Sequence, residues 1–557
     1  SVGVVYGDLG TSPLYMWPSI FSSAPSEEDV IGALSLVLWT LTLIVVIKYV
    51  AIVLNANDHG EGGTFAIYSL FCRYAKINPI GAVEASDKTL RRYSTSQRRL
   101  MEMTKGISLA LERHAWLRTC LLMLVLLGTC ALVGDGILTP AISVVSAVSG
   151  LQVPASLLDD SGLPKISNGA VVGISCAIMV LIFGGQRFGT SKIGFAYAPV
   201  LFLWFLSNAA VGLYNIATAY PAILKAFALA CSPHYIFTYF IRNGLTGWES
   251  LGGIVLAITD MLRLLLQQYL GHFSKGTIRL SALGVVYPSL LVIYLGQAAY
   301  LVAHPDSYSS LYYSAQPTAV YWPMFVIAIL ASIVASQSIV TGTFSIISQS
   351  MTLDCFPRVR IVHTSAKVKG QIYIPEINWI LLTIGIALIL GFTLTQPASS
   401  PVNTAQLGNA FGVAVLSVML VTTVLVSLVM LVVWEKPLAL VLPFFLFFFI
   451  FEGVYFTANI RKAPQVPTGA WFPLALAAVV MAISCTWHWA LNLKYPKTKN
   501  SNRHAQVLST GVTVPRQPGV AVYYSDSLRG LPPIFEQLLS TAPVLHKLII
   551  FLHIRQA

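Results

Sequence analysis

Gly7-Asp8-Leu9-Gly10-Thr11-Ser12-Pro13-Leu14-Tyr15 lies inside an otherwise apolar segment near residues 2–22. Two glycines and a proline within seven residues do not hold a regular helix. A helix broken at membrane depth bares carbonyls and hydroxyls, which suit a desolvated cation. Asp8 and Tyr15 are seven residues apart and share a face wherever helix persists between them. An unpaired carboxylate there is expensive, so Asp8 reads as functional ahead of a structural cap on the broken helix. Tyr15 reads equally as a ligand or as an interfacial anchor.

The rest of the chain supplies the membrane. Of 557 residues, 56% are hydrophobic and 10% charged, and the mean hydropathy is +0.73. Soluble domains carry about 25% charged residues. So few charges cannot cover a water-facing surface, which excludes an ordinary soluble enzyme, a disordered chain and a fibre. The seven cysteines are scattered with no C-x-x-C pair, so no disulfide framework or zinc site is expected. No HExxH, GxSxG or P-loop is present, so neither enzyme chemistry nor a cofactor is expected. The chain opens on Ser1 rather than Met and reads as a fragment.

A span needs roughly 20 apolar residues. Cutting the apolar runs at Pro, Gly, Asn and charge clusters predicts about twelve spans. They fall near 2–22, 30–53, 117–150, 169–186, 193–217, 248–270, 280–303, 321–350, 377–396, 404–434, 437–458 and 469–490. Alternation of β type is absent, so the fold class is an all-α polytopic membrane protein. The third span is too long for one straight crossing, with Pro140 as the candidate bend. Of the 34 Lys and Arg, 27 fall on one face, ten of them in residues 55–118. That excess places both termini in the cytoplasm. It accounts for the net charge of +12 without nucleic acid. Lys48, within the second span, is expected to snorkel to the cytoplasmic interface. Residues 1–493 thus form the transmembrane domain, with 55–118 as a cytoplasmic loop. Residues 494–518 are a linker, and 519–557 start a truncated cytoplasmic α/β domain. There Gly519–Tyr524 and Lys547–Ile554 read as strands around a helix from Pro532 to Leu539.

Other polar groups fall inside the spans. Asp135, Thr139 and Ser143 are at i, i+4 and i+8, a carboxylate and two hydroxyls on one stripe. Back-bonding of the hydroxyls to i−4 carbonyls is the alternative. Pro140 frees one carbonyl nearby. Glu452 is a buried carboxylate or a structural one near a span end. Gly408–Gly412 reads as a helix-packing run. Asn57–Gly63 reads as a cytoplasmic turn.

These stretches also carry a resemblance. Gly3–Tyr15, Leu54–Tyr68, Gly134–Gly150 (GDGILTPAISVVSAVSG), Cys355–Trp379 and the tail 518–552 resemble the signatures of the KUP/HAK/KT potassium transporters, plant-type members above all. The resemblance implies inward movement of K⁺, commonly coupled to protons. It implies a fold similar to amino-acid transporters, with two inverted five-helix repeats whose first and sixth helices are broken. It places Asp8, Tyr15, Asp135, Thr139, Ser143 and Thr259 at the cation path, with Asp8, Asp135 and Asp260 as proton-coupling candidates. The partners it implies are K⁺, H⁺ and the lipid bilayer, with a homodimer left open. The plasma membrane is the expected address, the vacuolar membrane the alternative. A channel-like uniporter is the rival within transport. An amino-acid permease is disfavoured, because Asp8 would repel a substrate carboxylate.

One segment departs from the family. Its sixth helix reads roughly T-G-x-E-A-x-x-A-D-x-G-H-F, whereas here Thr259 is followed by Asp260-Met-Leu-Arg-Leu-Leu-Leu-Gln-Gln-Tyr269. Leu262 or Leu264 stands where the family has a glutamate. The flanks match, which leaves a splice or gene-structure error and true divergence equally open. In the second alternative Asp260 replaces the carboxylate, paired with Arg263 at i+3. The orientation has a direct check. A cysteine placed at Ser94 should resist an impermeant thiol reagent in intact cells, and labelling from outside would invert the whole topology.

Overall fold

The computed structural model describes residues 6–56, 62–74, 113–152, 166–188, 190–219, 230–258, 275–364, 372–393, 402, 404–462, 469–494, 516–525, 535 and 545–553. The first segment is broken as its glycines and proline require. Helix α1 (Gly7–Thr11) runs into a 3₁₀ turn at Ser12–Leu14, and α2 (Met16–Ile20) follows beyond Tyr15. Helix α3 (Glu27–Thr40) starts at a Ser26/Asp29 capping box with three acidic residues in its first turn, both favourable at a helix N-terminus. It continues as a wider π-type helix through Leu41–Ile52.

Then come α4 (Thr64–Tyr74), α5 (Ala115–Val148), α6 (Asn168–Gly185) and α7 (Thr190–Ala219). Helix α8 (His234–Ile254) tightens into a 3₁₀ turn at Val255–Ile258. It is followed by α9 (Lys275–Ser281), α10 (Tyr287–Ala303), α11 (Leu311–Ser314) and α12 (Tyr321–Thr352). A short antiparallel hairpin, β1 (Val362–His363) with β2 (Ile372–Tyr373), leads into α13 (Pro375–Thr393). Helices α14 (Ala405–Val432), α15 (Leu438–Ile460) and α16 (Phe472–Lys494) complete the bundle.

Ten helical stretches among the described residues are long and apolar enough to cross a membrane. They coincide with ten of the twelve expected spans. The other two are the broken first segment and the sixth. A separate helical stretch from His234 precedes the sixth span, divided from it by a kink at Gly244 with φ 49° and ψ −117°. That left-handed backbone is open to glycine. Residues 259–274, with Thr259 and Asp260, lie outside the described residues.

Helix α5 sits at the centre, packed on α12, α14 and α16. It is one continuous helix with Pro140 inside. Helices α7 and α10 cross backbone to backbone: a Cβ on Gly296 would lie 2.4 Å from the Gly212 Cα. Strands β3 (Arg516–Ser525) and β4 (Leu545–His553) pair in parallel, Val520 against Leu548. β3 thus starts inside the stretch assigned to the linker. The helix expected from Pro532 lies outside the described residues, except that Phe535 is buried against the Tyr523 ring at 5.1 Å.

Two expectations are corrected. The 55–118 segment is not loop throughout, because α4 buries Phe65, Ile67 and Phe71 against α5 and α14. Its apolar residues recur at helical spacing, and the surrounding charges hid them. Lys48 does not snorkel. It is fully buried and paired with Glu452, and its Nζ also donates to the Met419 carbonyl at 3.1 Å. Thr423 Oγ1 donates to the other Glu452 oxygen at 2.6 Å. The second, tenth and eleventh expected spans are tied together at this point. Removing one member strands the other charge, at a cost of about 3–5 kcal/mol. Lys48→Met should therefore lower the melting temperature of the purified protein sharply. The double variant Lys48→Met with Glu452→Leu should recover most of that loss, and equal melting of single and double variants would refute the pairing energetics.

Candidate cation site

A broken helix leaves carbonyls without intrahelical donors, and in a lipid-facing bundle no water meets them. At this break three carbonyls accept from side chains. The Asp8 carbonyl accepts from Thr11 Oγ1 at 3.0 Å and from Ser12 Oγ at 3.2 Å. The Gly10 carbonyl accepts from Trp204 Nε1 of α7 at 2.7 Å. The Pro13 carbonyl accepts from Gln297 Nε2 of α10 at 3.0 Å. Asp8, Thr11 and Ser12 are completely buried.

The spacing of Asp8 and Tyr15 brings them together despite the break. Tyr15 Oη donates to Asp8 Oδ1 at 3.3 Å, and the tyrosine is fully buried rather than interfacial. On α5, Thr139 Oγ1 donates to Asp135 Oδ1 at 2.9 Å, so this hydroxyl joins the carboxylate instead of back-bonding. Ser143 takes the alternative, donating to the Thr139 carbonyl at 2.7 Å. All three are buried.

Helix α12 brings the two groups to one place. Gly7 packs so closely that a Cβ would lie 2.9 Å from the Ala335 Cα. The next residue, Ser336, has its hydroxyl 3.4 Å from that of Ser143. Adjacent α12 residues therefore touch the start of the broken helix and the end of the α5 stripe. At the other end of the stripe, a Cβ on Gly136 would lie 2.2 Å from Thr343 Oγ1, so only glycine fits. α1 and the Ser12–Leu14 turn also lie directly against α5. Thr259 and Asp260 lie outside the described residues, so the sixth-helix part of the site has no geometry here.

Sequence reasoning did not single out Ser336, Trp204 or Gln297. Ser332, Ser336, Ser338, Thr341, Thr343 and Ser345 crowd one span, and that polar density was the available signal for α12. Gln297 is an amide within the apolar run 280–303 and carried the same signal. Nothing local to Trp204 marks it as the donor to Gly10.

The donors at this junction are carboxylates, hydroxyls and peptide carbonyls, all hard oxygens, the chemistry that replaces the hydration shell of an alkali cation. With ten membrane-length apolar helices among its described residues, the chain is an integral, multi-pass membrane protein. It belongs to the potassium transporter family, whose K⁺ potassium transporter integral membrane domain matches residues 1–492. It is 42% identical over 560 residues to Potassium transporter 5 of Manihot esculenta, covering all of this chain and 66% of that protein. To Potassium transporter 23 of Oryza sativa subsp. japonica it is 42% identical over 564 residues, covering 61% of the relative. To Potassium transporter 1 of Arabidopsis thaliana it is 40% identical over 562 residues, covering 75%. The chain thus spans a little under two thirds of the first two relatives' length. The family is one of transporters, not enzymes.

The Asp8–Tyr15 pair generates a test. Asp8→Asn keeps the shape and removes the charge. In a chain whose residues 260–269 carry the family-type segment, Asp8→Asn should reduce Rb⁺ uptake to background at equal surface expression. Uptake like that of the unsubstituted chain would refute the assignment.

Proposed function

We propose that the chain carries K⁺ inward as a secondary transporter, coupled to H⁺, with both termini in the cytoplasm. The observation that carries this reading is the junction of the broken first helix with the Asp135–Thr139–Ser143 stripe at Ala335–Ser336. Asp8, Tyr15, Asp135, Thr139 and Ser143 supply oxygens to the ion, with Thr259 added from the sixth helix. Asp8 and Asp135 are the described candidates for the proton, since a buried carboxylate is the group whose protonation the membrane interior favours. The interruption at Ser12–Leu14 supports the broken first helix of an inverted repeat.

Coupling is energetically adequate. One charge crossing 100 mV releases about 2.3 kcal/mol. A K⁺ and an H⁺ moving together release about twice that, more than a thousandfold in K⁺ concentration.

The second reading is a membrane relative that has kept the fold and lost transport. The leucine that stands where the family has a carboxylate, Leu262 or Leu264, favours it. Losing an anionic ligand removes both attraction for the cation and a proton carrier. On this second reading the chain as written supports little Rb⁺ uptake in uptake-deficient cells and replacing residues 260–269 with the family-type segment restores it, whereas on the first the chain as written takes up Rb⁺. Asp260 is the exception: if it substitutes, the native chain is active and Asp260→Asn abolishes the activity. Robust, proton-dependent uptake by the unmodified chain that survives Asp260→Asn would overturn this account of the sixth helix.

A further inference from the structure

Among the described buried amides whose oxygen has no hydrogen-bond donor, Gln297 is the one whose nitrogen reaches the broken first helix. Its Nε2 holds the Pro13 carbonyl at the break, while the side chain is 5% exposed. Its other polar atom, Oε1, is buried with no hydrogen-bond donor among the described residues. Turning the amide over would set Oε1 against the Pro13 carbonyl, two acceptors with no proton between them, so the orientation is fixed. The two amide atoms share one carbon, so Oε1 lies at the same turn as Nε2.

Tyr294 is three residues earlier on α10 and on the same helical face. It is fully buried beside Ser12 and Asp8. This face of α10 therefore lies against the break. A buried amide oxygen without a donor is costly, and a desolvated cation beside the break would meet that need with a neutral ligand.

We propose that Gln297 is a dual-purpose residue of the ion site: its Nε2 holds the broken first helix open at Pro13, and its Oε1 faces the K⁺ path as a neutral oxygen ligand. This rests on the K⁺ reading above, and deepens it by adding a ligand from the seventh expected span. A residue that merely props the helix would lose stability on substitution without changing affinity for the ion. A ligand changes the affinity, and in opposite directions when its oxygen is removed or made anionic.

The test uses the full purified chain in detergent and reads the melting temperature against KCl, with choline chloride holding ionic strength constant. A ligand that binds the folded state raises melting with its own concentration dependence, whether or not the chain transports. Gln297→Met should shift the K⁺ midpoint to about tenfold higher concentration. Gln297→Glu should shift it lower. A midpoint equal to wild type in Gln297→Met, or movement of both variants in the same direction, overturns the assignment. If Gln297→Met does not fold, Gln297→Glu decides alone: a midpoint unchanged or raised overturns it. A wild-type chain with no K⁺-specific stabilisation overturns the K⁺ reading and this assignment with it, whereas a normal wild-type response with an unresponsive Gln297 overturns this assignment only.

Discussion

A peptide group inside a bilayer must find its hydrogen-bond partner within the protein, since each group left without one costs several kcal/mol. The first segment breaks that rule locally and has to be repaired from elsewhere. Two donors come from its own turn, Thr11 and Ser12. Two come from distant helices, Trp204 of α7 and Gln297 of α10. Helices α7 and α10 are themselves locked at the Gly212–Gly296 crossing, where there is no room for a side chain. The close backbone approach sets the donors, the donors hold the break, and the break gathers oxygens around Asp8. The site is thus a consequence of satisfying a backbone that the sequence refuses to let form a helix.

The protein holds its intramembrane charges in two different ways. Lys48 and Glu452 neutralise each other, with Met419 and Thr423 completing the hydrogen bonds. That arrangement is electrically closed and ties three helices together. Asp8 and Asp135 instead receive hydroxyls, from Tyr15 and Thr139. Burial by itself does not tell these three carboxylates apart, since all three are buried.

Much of this was legible in the residues. The apolar runs gave the spans because length and hydropathy are local properties, and ten of the expected segments form membrane-length helices. The glycines and proline of Gly7–Pro13 marked the break, since only their own backbone restrictions are involved. Asp8 with Tyr15, and Asp135 with Thr139, were readable from helical periodicity. Helix α4 was less legible: its apolar face is short and embedded among charged residues, so composition masked periodicity.

By itself the sequence determined the class of protein, the family, the break in the first helix and the carboxylates within the apolar spans. Each of these follows from a run, a spacing or a motif within a few tens of residues. Tertiary structure alone decided which groups meet. Lys48 found Glu452 across 404 positions of chain, Gln297 found Pro13 across 284, and Ser143 met Ser336 across 193. No local pattern encodes such meetings, because they depend on how closely two helices approach. At the Gly212–Gly296 and Gly7–Ala335 crossings that approach is set by glycine, whose missing Cβ lets one backbone rest on another.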